Sequence, residues 1–142
     1  MTSALPSISH YFCTDAVPIS TFISEFYLRF RKTESKTSVI PVFDIEQVLR
    51  NQQIDLAINI HSFSECKLTA IEWWLSKIAQ AGIKYLMIVP NAPVLTTSKG
   101  INFSPIIDKY GYKLIANDPK YLDPVFQGYG INPSYYYLFS LS

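Results

Sequence analysis

The sequence predicts a doubly wound α/β domain whose mostly parallel sheet ends in an antiparallel C-terminal strand pair. Three observations carry that expectation. Residues 55–60 (DLAINI) and 83–89 (IKYLMIV) are short runs with apolar residues on both faces, as in buried parallel strands. They flank a helical pattern, and a strand–helix–strand unit needs a parallel pairing with a right-handed crossover. Two more strand-like runs, residues 112–116 (YKLIA) and 135–141 (YYYLFSL), close the chain. The composition agrees: 142 residues, 49% hydrophobic and 16% charged, suit one folded domain rather than a disordered segment.

The elements follow in order. Residues 10–14 (HYFCT) form a short run ending at Asp15, and Pro18 marks a break. Phe22, Ile23, Phe26, Tyr27 and Phe30 then recur at helical spacing, with Ser20 or Thr21 available as a cap. Residues 33–36 are turn-like. Residues 37–43 (TSVIPVF) read as a strand, with Pro41 near its end or on an edge. A short amphipathic stretch, residues 45–49, precedes the strand at 55–60. Leu68, Ile71, Trp74, Leu75 and Ile78 mark the face of the crossover helix, with Ser62 and Glu65 at capping-box spacing before it. Gly82 closes that helix as its C′ residue. Residues 91–102 are irregular, with Pro93 and Gly100, a length typical of a functional or mobile loop. Residues 104–109 form a short helix ended by Gly111. Residues 117–133, with three prolines and two glycines, make a long excursion before the last strand. No repeat or linker is visible, so residues 1–142 read as a single domain.

Several function classes drop out. The net charge is +1 with no basic stripe, and Arg29, Arg31 and Lys32 sit where a helix C-terminus favours cations, so no nucleic-acid partner is expected. No apolar run approaches the roughly 20 residues that cross a bilayer, and the start lacks a signal-peptide pattern. Cys13 and Cys66 make no disulfide framework. A cytoplasmic protein without a membrane partner is expected. His10, Cys13, His61 and Cys66 are ligand types near strand ends. However, His10 and Cys13 stand three apart on a strand and point to opposite faces, so no metal site is expected. The ten tyrosines suit element ends and covered but wet surfaces, and the aromatic run at 135–139 reads as packing on both faces.

Candidate site residues lie at strand ends. Asp15, after the first strand, reads as a turn or cap aspartate, and Asp44, after Phe43, as an N-cap. Asn59, His61, Ser62, Phe63 and Glu65 surround the carboxyl end of DLAINI, where open α/β sheets bind ligands. His61 and Glu65 are residue types that serve as general bases. The bland alternatives are a capping-box glutamate and a hydrogen-bonded loop histidine.

The segments HYFCTDAVP, FYLRF, DLAINIHSFSEC, GIKYLMIVPN, IDKYGYKLI and PSYYYLFSL span residues 10–141. Together they resemble the second half of a class I S-adenosylmethionine-dependent methyltransferase, most closely the sugar O-methyltransferase group. The resemblance implies a Rossmann-like sheet of order 3-2-1-4-5-7-6, with residues 10–14 as strand 2. It implies S-adenosylmethionine as cofactor and a hydroxylated small molecule as substrate. Asp15 would then hold the cofactor ribose, Phe43 and Asp44 the adenine, and Asn59 and Ser62 would complete the cofactor site. His61 and Glu65 would face the acceptor hydroxyl, and residues 91–102 would be the loop that closes over it. The nine residues before residue 10 cannot supply a strand, a glycine-rich loop and a helix, and no glycine occurs before Gly82. The resemblance therefore implies a domain incomplete at the N-terminus, without strand 1. Strands 2 and 4 would have to pair directly, or a partner chain or second copy would supply the missing strand. The alternative is a non-catalytic remnant or interaction domain.

Overall fold

The computed structural model describes residues 7–129 and 135–142, so Gly130 and Pro133 of the expected excursion lie outside the described residues. The backbone divides into two units, Met1–Asn51 and Gln52–Ser142.

The first unit is built on two parallel strands, β1 (Tyr11–Asp15) and β2 (Thr37–Pro41), in register from Tyr11 opposite Thr37 to Asp15 opposite Pro41. The strand expected to reach residue 43 stops at Pro41, and a 3-10 turn over Val42–Asp44 takes its place. Helix α1 (Pro18–Phe30) connects the two strands. Pro18 opens this helix rather than breaking the chain before it, since a fixed φ and a missing N–H suit the first helical position. Val17 is the N-cap residue, and neither Ser20 nor Thr21 caps. The Thr21 hydroxyl instead donates back to the carbonyls of Asp15 and Val17. Helix α2 (Ile45–Asn51) ends the unit and buries Ile45.

The second unit holds a four-stranded mixed sheet. In it β3 (Leu56–Ile60), β4 (Tyr85–Val89), β5 (Tyr112–Pro119) and β6 (Tyr135–Leu141) stand in the order β3-β4-β6-β5. The β3–β4 pair is parallel, and β6 runs antiparallel to both β4 and β5. The C-terminal pair is thus antiparallel as expected, with β6 inside the sheet and β5 at the edge, as the order 5-7-6 implies. Between β3 and β4 come a single turn, α3 (Ser62–Glu65), and the crossover helix α4 (Leu68–Gln80). Helix α4 buries Ile71, Leu75 and Ile78 at helical spacing. It ends as a Schellman motif on Gly82 (φ +67°), with Gly82 N–H donating to the Ala79 carbonyl and Ile83 N–H to that of Ile78. The core continues through Leu86 and Ile88 of β4, Phe103, Ile107 of α5 (Ser104–Lys109) and Tyr112 of β5. The Tyr112 hydroxyl donates to the Ile83 carbonyl at 2.6 Å, which satisfies the one polar atom this ring buries. A last short helix, α6 (Pro124–Tyr129), lies between β5 and β6.

The segment 91–102 is a pinned turn. Thr96 bridges Asn102, Thr97 N–H donates to the Ile101 carbonyl, and Gly100 turns at φ +75°. Leu95 and Phe103 are buried at its ends, and the Tyr137 hydroxyl donates to the Pro93 carbonyl.

Among the described residues each unit keeps an open sheet edge. Among the described residues β1 has β2 as its one ladder neighbour, and β3 has β4.

Candidate active site

In the first unit the parallel register sets Asp15 beside Pro41, so Asp15, Phe43 and Asp44 share one end of the two-stranded sheet. Asp15 makes an Asx turn: its Oδ1 accepts the Val17 N–H at 2.8 Å, which fixes the carboxylate at the strand end and leaves Oδ2 for another donor. Phe43 is 81% exposed, a free aromatic face beyond β2. Asp44 lies inside the 3-10 turn that runs on into α2, so it does not take the N-cap position that its place before a helix suggests.

In the second unit the carboxyl ends of β3 and β4 converge. His61 N–H donates to the Val89 carbonyl at 2.8 Å, extending the ladder by one residue. His61 then turns the chain at φ +66°, ψ −32°, a conformation that a residue with a Cβ rarely adopts. Backbone strain of this kind is retained where the surroundings hold it, often at functional sites. His61 is the N-cap position of the turn α3, and the Asn59 side chain holds the start of that turn. Asn59 Oδ1 accepts the Phe63 N–H at 3.0 Å, and its Nδ2 donates to Ser62 Oγ at 2.6 Å.

The capping box between Ser62 and Glu65 is not formed. Helix α4 begins only at Leu68, with Lys67 as its N-cap and Cys66 extended, so Ser62 stands too far upstream to cap it. Glu65 is instead held from the end of β4: Asn91 Nδ2 donates to its Oε1 at 2.9 Å. Asn91 is tied down in turn, its N–H donating to Ser64 Oγ at 3.1 Å. The buried Ser64 also accepts, through its carbonyl, the Ser98 N–H at 2.6 Å. Residues 91–102 are thereby anchored to α3. Ser64 and Asn91 were not singled out from the sequence. Asn91 could have been, as the polar residue following Pro90 at the carboxyl end of a buried strand.

The second group places a carboxylate and an imidazole at one sheet end, with Glu65 oriented through one oxygen and Oε2 left over. This is an arrangement able to accept a proton from a hydroxyl. His10 has a different role, bonding Ser38 Oγ through Nε2 at 2.9 Å and packing on Phe12. Burial pushes the Cys13 thiol up, away from the thiolate form that a metal ligand needs. Among the described residues no three His, Cys, Asp or Glu side chains converge as metal ligands do.

No family model matches the sequence, and no curated protein matches it. Solved structures do match in fold. The mitomycin 7-O-methyltransferase MmcR superposes with a TM-score of 0.71 at 14% identity, over 99% of this chain and 44% of MmcR. The methyltransferase domain of bacterial CtHen1-C gives 0.70 at 12% identity, over 98% of this chain and 80% of that one. Streptococcus pneumoniae Sp1610, in complex with S-adenosyl-L-methionine, gives 0.70 at 10% identity, over 99% of this chain and 59% of that protein. The chain thus spans about half the length of MmcR and Sp1610. The likeness is one of fold: the chain shares with these proteins a Rossmann-like α/β architecture whose last strand runs antiparallel. Among the described residues no helix is long and apolar enough to cross a membrane.

Proposed function

We propose that residues 1–142 form one methyltransferase-like domain that takes part in S-adenosylmethionine-dependent O-methylation of a sugar or similar hydroxylated small molecule in the cytoplasm. The observation that carries this reading is the strand order. With β1 and β2 as strands 2 and 3, the β3-β4-β6-β5 sheet corresponds to 4-5-7-6, including the antiparallel last strand set between its neighbours. Solved methyltransferases, among them an O-methyltransferase and a cofactor complex, match nearly the whole chain.

The residues fit the cofactor at its ribose and adenine. Asp15 Oδ2 is available to accept from ribose hydroxyls, and the exposed Phe43 ring offers a face for a purine, with Asp44 beside it as an acceptor for an amino group. Asn59 and Ser62 shape the turn after β3. When bound, S-adenosylmethionine supplies a methyl group on a sulfonium, open to in-line attack by a hydroxyl oxygen. The chain's own residues handle the acceptor. His61 or Glu65 takes the hydroxyl proton as the oxygen attacks, and Asn91 holds Glu65 in position.

S-adenosylhomocysteine release in the presence of hydroxylated sugars tests this. Turnover that falls at least about 100-fold in both His61→Gln and Glu65→Gln variants would leave neither residue as sole base, whereas a loss confined to one assigns the proton to it. Equal turnover in wild type and both variants would remove the pair from the chemistry.

A second reading, a non-catalytic or partner-dependent domain, is favoured by the open edges of β1 and β3. Strand β3 is apolar on both faces, yet Leu56 and Ile60 are exposed, and among the described residues β3 has β4 as its one ladder neighbour. That reading expects turnover to be absent until a chain that supplies a strand to these edges is added.

A further inference from the structure

Helix α1 is amphipathic in the reverse of the usual sense. Its half-buried residues are Ser20, Thr21, Ser24 and Leu28, three of them small and polar. Its large apolar residues, Ile19, Phe22, Ile23, Phe26, Tyr27 and Phe30, are all more than half exposed. At 100° per residue these six fall on one face, and the half-buried four fall on the opposite side. No residue of the helix is buried.

The extent of that face is the size of an interface. Aromatic side chains offer on the order of 200 Å² each, so four aromatics and two isoleucines at these exposures amount to roughly 600–700 Å² of contiguous apolar surface. That exceeds the roughly 300–600 Å² of the largest patch on a typical monomer and approaches the roughly 800 Å² per partner of a standard interface. The spacing is also that of a helix-packing seam: Ile19, Ile23, Phe26 and Phe30 are four, three and four residues apart. Within the helix the charges balance, and two cations, Arg31 and Lys32, follow its C-terminal end. Glu25 and Arg29 are the only charged side chains of the helix, and they pair with each other, while Arg31 beyond its end lies over the Tyr27 ring at 5.8 Å. An anionic lipid surface would call for free cations along that rim. Arg31 and Lys32 stand at one end only, and an apolar, evenly spaced stripe whose one ion pair is internal is complementary to itself in an antiparallel pair, which sets the two cationic ends apart.

We infer that the α1 face is a homodimer interface, in which the helix packs antiparallel against α1 of a second copy about a two-fold axis that passes between Ile23 and Phe26. In that arrangement Ile23 of one copy faces Phe26 of the other, a pairing a closed two-fold contact makes twice. The inference is independent of whether the chain binds a cofactor.

Sedimentation velocity on the full chain tests it. Wild type is expected to sediment as a dimer at micromolar concentration. Ile23→Glu and Phe26→Lys, each alone, are expected to weaken association at least about tenfold. Mixing the two variants should restore a dimer, because the new charges meet across the axis. A wild-type chain that stays monomeric at about 100 µM overturns the inference, and this arm needs no variant to fold. A dimer unaffected by either substitution, in variants with wild-type circular dichroism, overturns the choice of face. A monomer that floats with phosphatidylcholine vesicles assigns the face to a membrane and likewise overturns the inference.

Discussion

His61 is where residue chemistry and backbone meet. Its φ of +66° costs free energy that a glycine would not incur, so His61→Gly should raise the melting temperature, by up to roughly 1–3 kcal/mol in stability, while abolishing any proton transfer that His61 performs. A calorimetric melt beside a turnover assay reads both effects. If the glycine variant were less stable, the strain would be an incorrect description of this turn. Tyr112 makes a second prediction. Burial pushes its hydroxyl from 10.0 up to about 12. The folded value lies above the unfolded one, so the stabilisation is intact below pH 10.0 and lost as pH rises toward about 12. Alkaline melts should show this loss in wild type, and Tyr112→Phe should flatten it at a cost of about 1 kcal/mol at neutral pH. The site residues were legible to different depths. Asp15 and the group after DLAINI stand at strand ends that the apolar runs mark. The partner of Glu65 was not legible, because Asn91 lies 26 residues away and only the β3–β4 pairing brings them together. Ser62 and Glu65 look like a capping box in spacing alone, but α4 starts downstream of both with Lys67 as its N-cap, and the Asn59 side chain bonds the turn α3 instead.

At the scale of elements, β3, α4 and β4 were the most legible, since periodicity and Gly82 act within a few residues of one another. Gly82 has no neighbour that a Cβ would meet, so Gly82→Ala should cost only the backbone term, about 1 kcal/mol by chemical denaturation. Leu75→Ala empties a fully buried site under the sheet and should cost about 2–5 kcal/mol in the same experiment. A similar cost at both positions would contradict this separation of backbone from packing effects. Where α1 directs its apolar stripe was not legible. The pattern announces an amphipathic helix, but only the structure shows that the small polar face is the half-buried one. Residues 91–102 read as a free loop because their anchors, Ser64 and Tyr137, come from distant segments.

For the whole molecule, the strand order joins sequence and function. The expected neighbours recur within each unit: β1 pairs parallel with β2, and the second unit runs β3-β4-β6-β5 with β6 antiparallel to both of its neighbours. The cofactor reading stands on Asp15 and Phe43 in one unit, and the acceptor reading on His61, Glu65 and Asn91 in the other. Titration calorimetry of the purified chain with S-adenosylmethionine tests the central claim most directly. Saturable binding is expected, weakened about 10–100-fold by Asp15→Ala, the loss of charge-assisted hydrogen bonds to the ribose. The absence of binding at millimolar cofactor, or binding that Asp15→Ala leaves unchanged, would contradict it.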